Sequence, residues 1–212
     1  MALWSDIGSL NIRYALDLFG TAAFAFSGVL RGFHRKPDIV GMAILATATA
    51  LGGGILRDAI LGARATMLAD PVYLLVILGT VLVSALTPAR LRRGEAFFKY
   101  CDAVGLGIFS AIGATLALND GLNALAVVFV AAITGAGGGI VRDVLLGEMP
   151  LVLYKEIYIS AVAAGALALL AVRGLGGGAD LAFLAGMAVT VSIRVLAIWR
   201  NWSLPRFTVE GE

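Results

Sequence analysis

Charge is what this sequence has least of. Of 212 residues only 16 are basic and 14 acidic, 14% in all, while 60% are hydrophobic. Soluble domains average about 25% charged and 45–50% apolar residues. With a mean hydropathy of +0.94, the chain cannot cover a water-facing surface. The composition excludes a disordered protein, a coiled coil and a nucleic-acid binder, which needs many clustered bases against phosphate. One cysteine and one histidine exclude an intramolecular disulfide framework and a Cys/His metal centre. Cys101 reads as a small hydrophobe, and His34 as a residue of a basic loop. No H-E-x-x-H, G-x-S-x-G or P-loop lysine motif occurs, so nothing points to an enzyme or a cofactor. Gly135-Ala136-Gly137-Gly138-Gly139 loosely resembles a nucleotide-binding turn but lies in an apolar run without a βαβ context. The start, MALWSDIGSLNIR, lacks a basic leader and a small-residue cleavage site, so the first apolar segment is expected to stay.

What remains is apolar and rich in glycine. A helix needs about 20 mainly apolar residues to cross the ~30 Å hydrocarbon core. Seven stretches qualify: Tyr14–Leu30, Asp38–Leu61, Pro71–Thr87, Phe97–Leu118, Leu122–Leu146, Leu151–Val172 and Ala179–Trp199. They do not alternate as barrel strands do. The sequence therefore predicts an all-α integral membrane protein, one domain over residues 1–212, with the lipid bilayer as its main partner. Basic residues of the short loops set orientation. With the N-terminus outside, inside segments hold Arg31, Arg35, Lys36, Arg90, Arg92, Arg93, Lys99, Lys155, Arg200 and Arg206, against Arg13, Arg64 and Arg173 outside. Ten against three predicts N-out and C-in. Trp4, Trp199 and Trp202 suit interfacial anchors.

An internal repeat organises these spans. Leu51-Gly52-Gly53-Gly54-Ile55-Leu56-Arg57-Asp58 returns as Ala136-Gly137-Gly138-Gly139-Ile140-Val141-Arg142-Asp143, at an offset of 85 residues. The offset holds upstream without a gap: Asp17 falls on Asp102, Gly20 on Gly105, Phe24 on Phe109, Gly28 on Gly113 and Thr49 on Thr134, with 14 identities in 46 positions. Repeat 1 covers 14–87, repeat 2 covers 97–172, and a seventh helix (179–200) stands alone. Three crossings per copy reverse the chain's side. The copies are therefore inverted about an axis in the membrane plane, an arrangement typical of transport proteins.

Gly52, Gly53 and Gly54, with Gly137, Gly138 and Gly139, have two readings. Either they notch the helices for close packing, or they break the second and fifth helices and expose backbone to a wet cavity. The matched Arg-Asp pair after each triplet favours the break. Asp17, Arg57, Asp58, Asp102, Arg142, Asp143 and Arg194 lie in or near span ends, where ionisable groups usually face a partner or a water-filled path. The topology predicts Asp17–Arg57 and Asp102–Arg142 contacts pairing helices, one on each side of the membrane. Asp58 and Asp143 are then left to the path. Four aspartates against Arg57, Arg142 and Arg194 leave a formal −1, which favours cations. Thr49 and Thr134 either offer hydroxyls to that path or bond their own helix. Arg194 is expected to snorkel to the inner interface.

Two copies of G-G-G-x-x-R-D in a seven-span chain resemble the prokaryotic TRIC (trimeric intracellular cation) channels, whose domain is also described as a bacterial glycine transporter domain. The resemblance covers roughly Asp17 to Trp199. It implies a homotrimer with a pore in each subunit, kinked at the glycine triplets and conducting K⁺ and Na⁺, with no cofactor beyond bound lipid. The alternative is a secondary transporter of glycine or another small solute. A bacterial cytoplasmic membrane is the expected location.

Overall fold

The computed structural model describes residues 7–86, 95–154 and 157–202. Trp4, Arg90, Arg92, Arg93, Lys155 and Arg206 of the predicted loops and termini lie outside them, as does Thr87. Among the described residues the chain is all helical: α1 (Ile7–Gly32), a 3-10 turn (Phe33–Arg35), α2 (Ile39–Leu61), α3 (Thr66–Ala69), α4 (Pro71–Ala85), α5 (Glu95–Asn119), α6 (Ala124–Leu145), α7 (Leu151–Tyr154), α8 (Ile159–Gly174) and α9 (Ala179–Arg200). Of these, α2, α5, α6 and α9 are long and apolar enough to cross a membrane, while α4 and α8 are shorter apolar helices. The helix α1, at 26 residues, has the length but also carries Arg13, Asp17 and Arg31. The predicted span Leu151–Val172 resolves into the single turn α7 and the longer α8.

The repeat extends to local structure. Asp38 caps α2 by accepting from the Gly41 N–H at 2.7 Å, and its repeat mate Asn123 caps α6 by accepting from Ala126 at 3.0 Å. Such caps satisfy N–H groups that a helix start leaves unpaired. Both helices end at glycines in the left-handed region, Gly62 at φ 66° and Gly147 at φ 67°, a conformation that side chains resist. Even the short turns α3 and α7 are offset by the same 85 residues.

Ion pairs at the two ends fix the helix directions. Arg13 near the start of α1 pairs with Asp180 at the start of α9 at 2.6 Å, and Tyr14 donates to Asp70, which precedes α4, at 2.7 Å. At the opposite end of α1, Arg31 pairs with Glu148, just beyond α6, at 2.6 Å. Thus α1, α4, α6 and α9 run one way and α2, α5 and α8 return. That alternation is what the inverted repeat requires.

The expected helix breaks are absent. Both α2 and α6 are continuous through 52–54 and 137–139, and the triplets serve a crossing between them. A Cβ on Gly53 would collide with the Thr134 carbonyl oxygen, and one on Gly138 with that of Thr49. Beside them, a Cβ on Gly137 would stand 2.9 Å from the Gly53 Cα. Without water between apolar helices, association in a bilayer rests on such close packing. Van der Waals attraction between the touching backbones offsets the poor helix propensity of glycine, about 1 kcal/mol per residue. The same layer continues outward. Thr49 packs on Gly28 of α1 and Thr134 on Gly113 of α5, while Phe24 and Phe109 stack at 5.3 Å. Each of these pairs is related by the offset, so the pseudo-two-fold axis passes through the α2–α6 crossing.

Gly53→Ala and Gly138→Ala should each lower the apparent melting temperature in detergent, the overpacking cost being about 1–3 kcal/mol. Gly79→Ala, with nothing within 4 Å of its Cβ, should leave it unchanged or raise it. Equal behaviour of all three would contradict the crossing.

Candidate polar sites within the bundle

Two acid–base sets sit on either side of the crossing, one at each end of the bundle. In the second repeat, Arg142 of α6 is fully buried. Its Nη1 donates to Asp102 Oδ1 of α5 at 2.7 Å and to Ser27 Oγ of α1 at 3.1 Å, and its Nε donates to Asp143 Oδ1 at 2.7 Å. The Phe98 ring lies 4.8 Å from its guanidinium carbon, a cation–π distance. The other oxygen of Asp143 accepts from the Leu151 N–H at 2.9 Å and so starts α7. The missing side chain of Gly139 makes room here, since a Cβ would stand 3.3 Å from the Tyr158 hydroxyl and 3.5 Å from Arg142 Nη2. The predicted Asp102–Arg142 contact is present.

The first-repeat set is built differently. Arg57 binds Asp58 Oδ1 through Nε and Nη2, each at 2.7 Å. Asp17 accepts a 2.5 Å hydrogen bond from the Tyr73 hydroxyl of α4. Arg57 Nη1 and Asp17 Oδ1 are buried without hydrogen-bond partners, so the predicted Asp17–Arg57 contact does not form. Sequence differences at repeat-related positions explain this. The mate of Ser27, which helps hold Arg142, is Ile112, and the mate of Phe98 is Arg13. Arg57 therefore lacks both the second acceptor and the aromatic face that draw Arg142 onto Asp102. Above the set, Asp70 caps α4, and the hydrogen bonds from Tyr14 and the Val72 N–H hold its carboxyl below the usual carboxylate range.

Thr49 and Thr134 donate to their own helices, to the Leu45 and Val130 carbonyls at 2.7 Å. Arg194 does not snorkel. It is buried, donates to the Ile157 carbonyl at 2.8 Å and lies 4.6 Å over the Tyr158 ring. The turn before α8 presents a part-buried carbonyl, and a charged donor makes a strong hydrogen bond to it. His34 is exposed, as are Trp199 and Trp202. No group of three metal-ligating side chains occurs among the described residues. A groove of about 580 Å³ between α1, α4 and α5 is lined by Phe19, Phe26, Val76, Phe97 and Tyr100, and its apolar walls offer ions nothing. Tyr73 and Tyr158 belong to no sequence motif, although they too are separated by 85 residues. The gapless match from Asp17 to Gly62 stops short of Tyr73.

Removing one member of a buried pair leaves a charge uncompensated, at about 3–5 kcal/mol. Asp102→Asn and Arg142→Gln should each sharply reduce the folded yield and melting temperature. The double variant should be milder than the two losses added. Strict additivity would mean that the two side chains do not interact.

The repeat and the fold are both matched by known proteins. The family model described as glycine transporter matches twice, over residues 14–89 and 99–174, again 85 residues apart. A UPF0126 membrane protein of Vibrio cholerae is 40% identical over 201 residues, covering 94% of this chain and 84% of that protein. The inner membrane protein YadS of Escherichia coli is 37% identical, covering 93% and 97%. Among solved structures, a TRIC cation channel superposes with a TM-score of 0.85 at 32% identity, over 94% of this chain and 98% of that one. The TRIC trimeric intracellular cation channel orthologue from Rhodobacter sphaeroides gives 0.82 at 32%, covering 91% and 100%. With its doubled glycine-arginine-aspartate motif and nearly full-length agreement, the chain is an integral membrane protein of the prokaryotic TRIC family, whose shared domain is described as a glycine transporter.

Proposed function

We propose that this protein is a cation channel that conducts K⁺ and Na⁺ through a path inside each subunit of a homotrimer. Seven crossings bring its N-terminus outside and its C-terminus to the cytoplasm of a bacterial inner membrane. The observation that carries the reading is the agreement with a solved TRIC cation channel over 94% of the chain at 32% identity. The interior chemistry supports it. Asp17, Asp58, Asp102 and Asp143 are all buried, and acidic groups beside a hydrated path favour cations over anions. Nothing among the described interior residues resembles an amino-acid site, where paired donors and acceptors would meet a carboxylate and an ammonium together.

The glycine triplets enter this function as the joint on which the two halves meet. Any widening of a path between α1, α2, α5 and α6 must preserve or slide that joint, because Gly53 and Gly138 leave no room for a side chain. Apolar residues line the outer faces of α2, α4 and α6, including Ile44, Leu75 and Phe129, as lipid or neighbouring subunits require.

Purified protein in a planar bilayer under a KCl gradient should give discrete unitary currents that reverse near the K⁺ potential. Silent bilayers together with saturable glycine counterflow in vesicles would replace the channel with a carrier. In detergent, cross-linking should stop at a species of three chains.

A further inference from the structure

The two acid–base sets have the same repeat origin but different electrostatic balance. In the second set, Asp102 and Asp143 face Arg142, and Arg194 of the unrepeated α9 adds a second cation over Tyr158. Two acids meet two bases. In the first set, the cation in reach of both Asp17 and Asp58 is Arg57. Its ion pair is spent on Asp58. Arg13, one turn before Asp17, is already paired with Asp180. Asp17 is thus a carboxyl in a buried place with no ion pair of its own, where an uncompensated charge is strongly disfavoured.

The unpartnered atoms point to where the compensation goes. Asp17 is 3% exposed, and its Oδ1 has no hydrogen-bond partner. Thr21, one turn later on the same helix face, is fully buried, and its Oγ1 has no partner either. That is unusual in this bundle. Thr47, Thr49, Thr80, Thr115, Thr134 and Thr190 all donate to the carbonyl four residues back. Among the described buried hydroxyls only Thr21 is left without a partner, so its oxygen is free to serve something else. The mate of Thr21 is Leu106, and the second set has no such hydroxyl. Residues three or four apart on a helix are neighbours. Asp17 and Thr21 therefore share one helix face, and the Tyr73 hydroxyl reaches Asp17 from α4.

We propose that Asp17 and Thr21, with the Tyr73 hydroxyl oxygen alongside, form a binding site for a dehydrated or partly hydrated monovalent cation in the first-repeat half of the subunit. Oxygen-only ligands with a single net negative charge suit an alkali cation, since hard cations prefer carboxylate, hydroxyl and water oxygens. Arg57, whose Nη1 is also unpartnered, is the tethered rival for the same carboxylate. In the second repeat Arg142 already holds the equivalent position at 2.7 Å. Asp102 Oδ2 and Arg142 Nη2 also lack hydrogen-bond partners, so the asymmetry lies in the ion pairing: Arg142 holds Asp102, whereas Asp17 has no ion pair and an unpartnered hydroxyl one turn away. This site rests on the cation-path reading for its role but not for its detection.

Binding can be measured without current. The full-length protein in detergent is melted at constant ionic strength while KCl replaces N-methyl-D-glucamine chloride. A ligand that binds only the folded state raises the melting temperature with concentration, so saturable stabilisation by K⁺ is expected. Asp17→Asn should raise the half-saturating concentration about tenfold, as loss of a charged ligand does. Thr21→Val, which keeps the shape and deletes the oxygen, should raise it about threefold, and Thr21→Ser should restore it. Thr115→Val, which removes a hydroxyl bonded to its own helix, should leave it unchanged. If Asp17→Asn does not fold, the Thr21 pair decides. Absence of saturable stabilisation by K⁺ or Na⁺, or indifference of the midpoint to Thr21→Val, overturns the site and leaves those oxygens to water. Unitary currents that persist in that case would keep the channel while removing the site. Silent bilayers with K⁺ stabilisation intact would do the reverse.

Discussion

The contact between Gly53 and Gly138 governs the rest of the structure. Each glycine faces the carbonyl of the threonine four residues before the other, Thr134 and Thr49. Neither position tolerates a Cβ, so α2 and α6 can cross only here and only in this register. From that register the rest follows outward. Gly28 meets Thr49, Gly113 meets Thr134, and Phe24 stacks on Phe109. The four helices of the two halves are thus joined through one layer of small residues and one aromatic pair. In a bilayer, where lipid is as apolar as leucine, shape matching supplies the cohesion that the hydrophobic effect supplies in water.

Symmetry of the backbone does not carry over to its side chains. Arg57 and Arg142 occupy equivalent places, yet Arg142 reaches Asp102 and Arg57 stays on Asp58. Three residues that are not repeated account for the difference. Ser27 and Phe98 hold Arg142, and Arg194 from α9 fixes the turn that carries Tyr158. The helix α9, outside the repeat, is therefore more than an appendage, because it brings Arg194, whose charge balances the second set. The other half keeps its excess acid, and the molecule acquires a direction that its duplicated origin lacked.

Much of this is legible in the sequence, and what is not has physical causes. The offset of 85 residues exposes the inverted halves, their matched charges and the Asp102–Arg142 pair. The glycine triplets read as breaks because three glycines in isolation disfavour helix. Their benefit appears only when the partner backbone is present, which no single segment reveals. Symmetry predicts Asp17–Arg57, but the competition is decided by Tyr73 and by the absence of a second acceptor at Ile112. Thr21 carries no sequence signal at all, since its distinction is a hydrogen bond that is missing. Arg194 looks like an interfacial anchor by position, although the carbonyl of Ile157 and the Tyr158 ring give it partners inside the bundle.

A channel built this way would owe its cation preference to a scarcity of charge. With few ionisable groups among the described residues of the bundle, Asp17, which has no ion pair, would set the sign of what enters, and the Arg142–Asp102 pair stands at the opposite end. The most direct measurement is the anomalous scattering of crystals grown with thallium or rubidium in place of potassium. A path inside the subunit predicts a peak among α1, α2 and α4 beside Asp17. Peaks found only on an axis between subunits, with none inside the helical bundle, would contradict it.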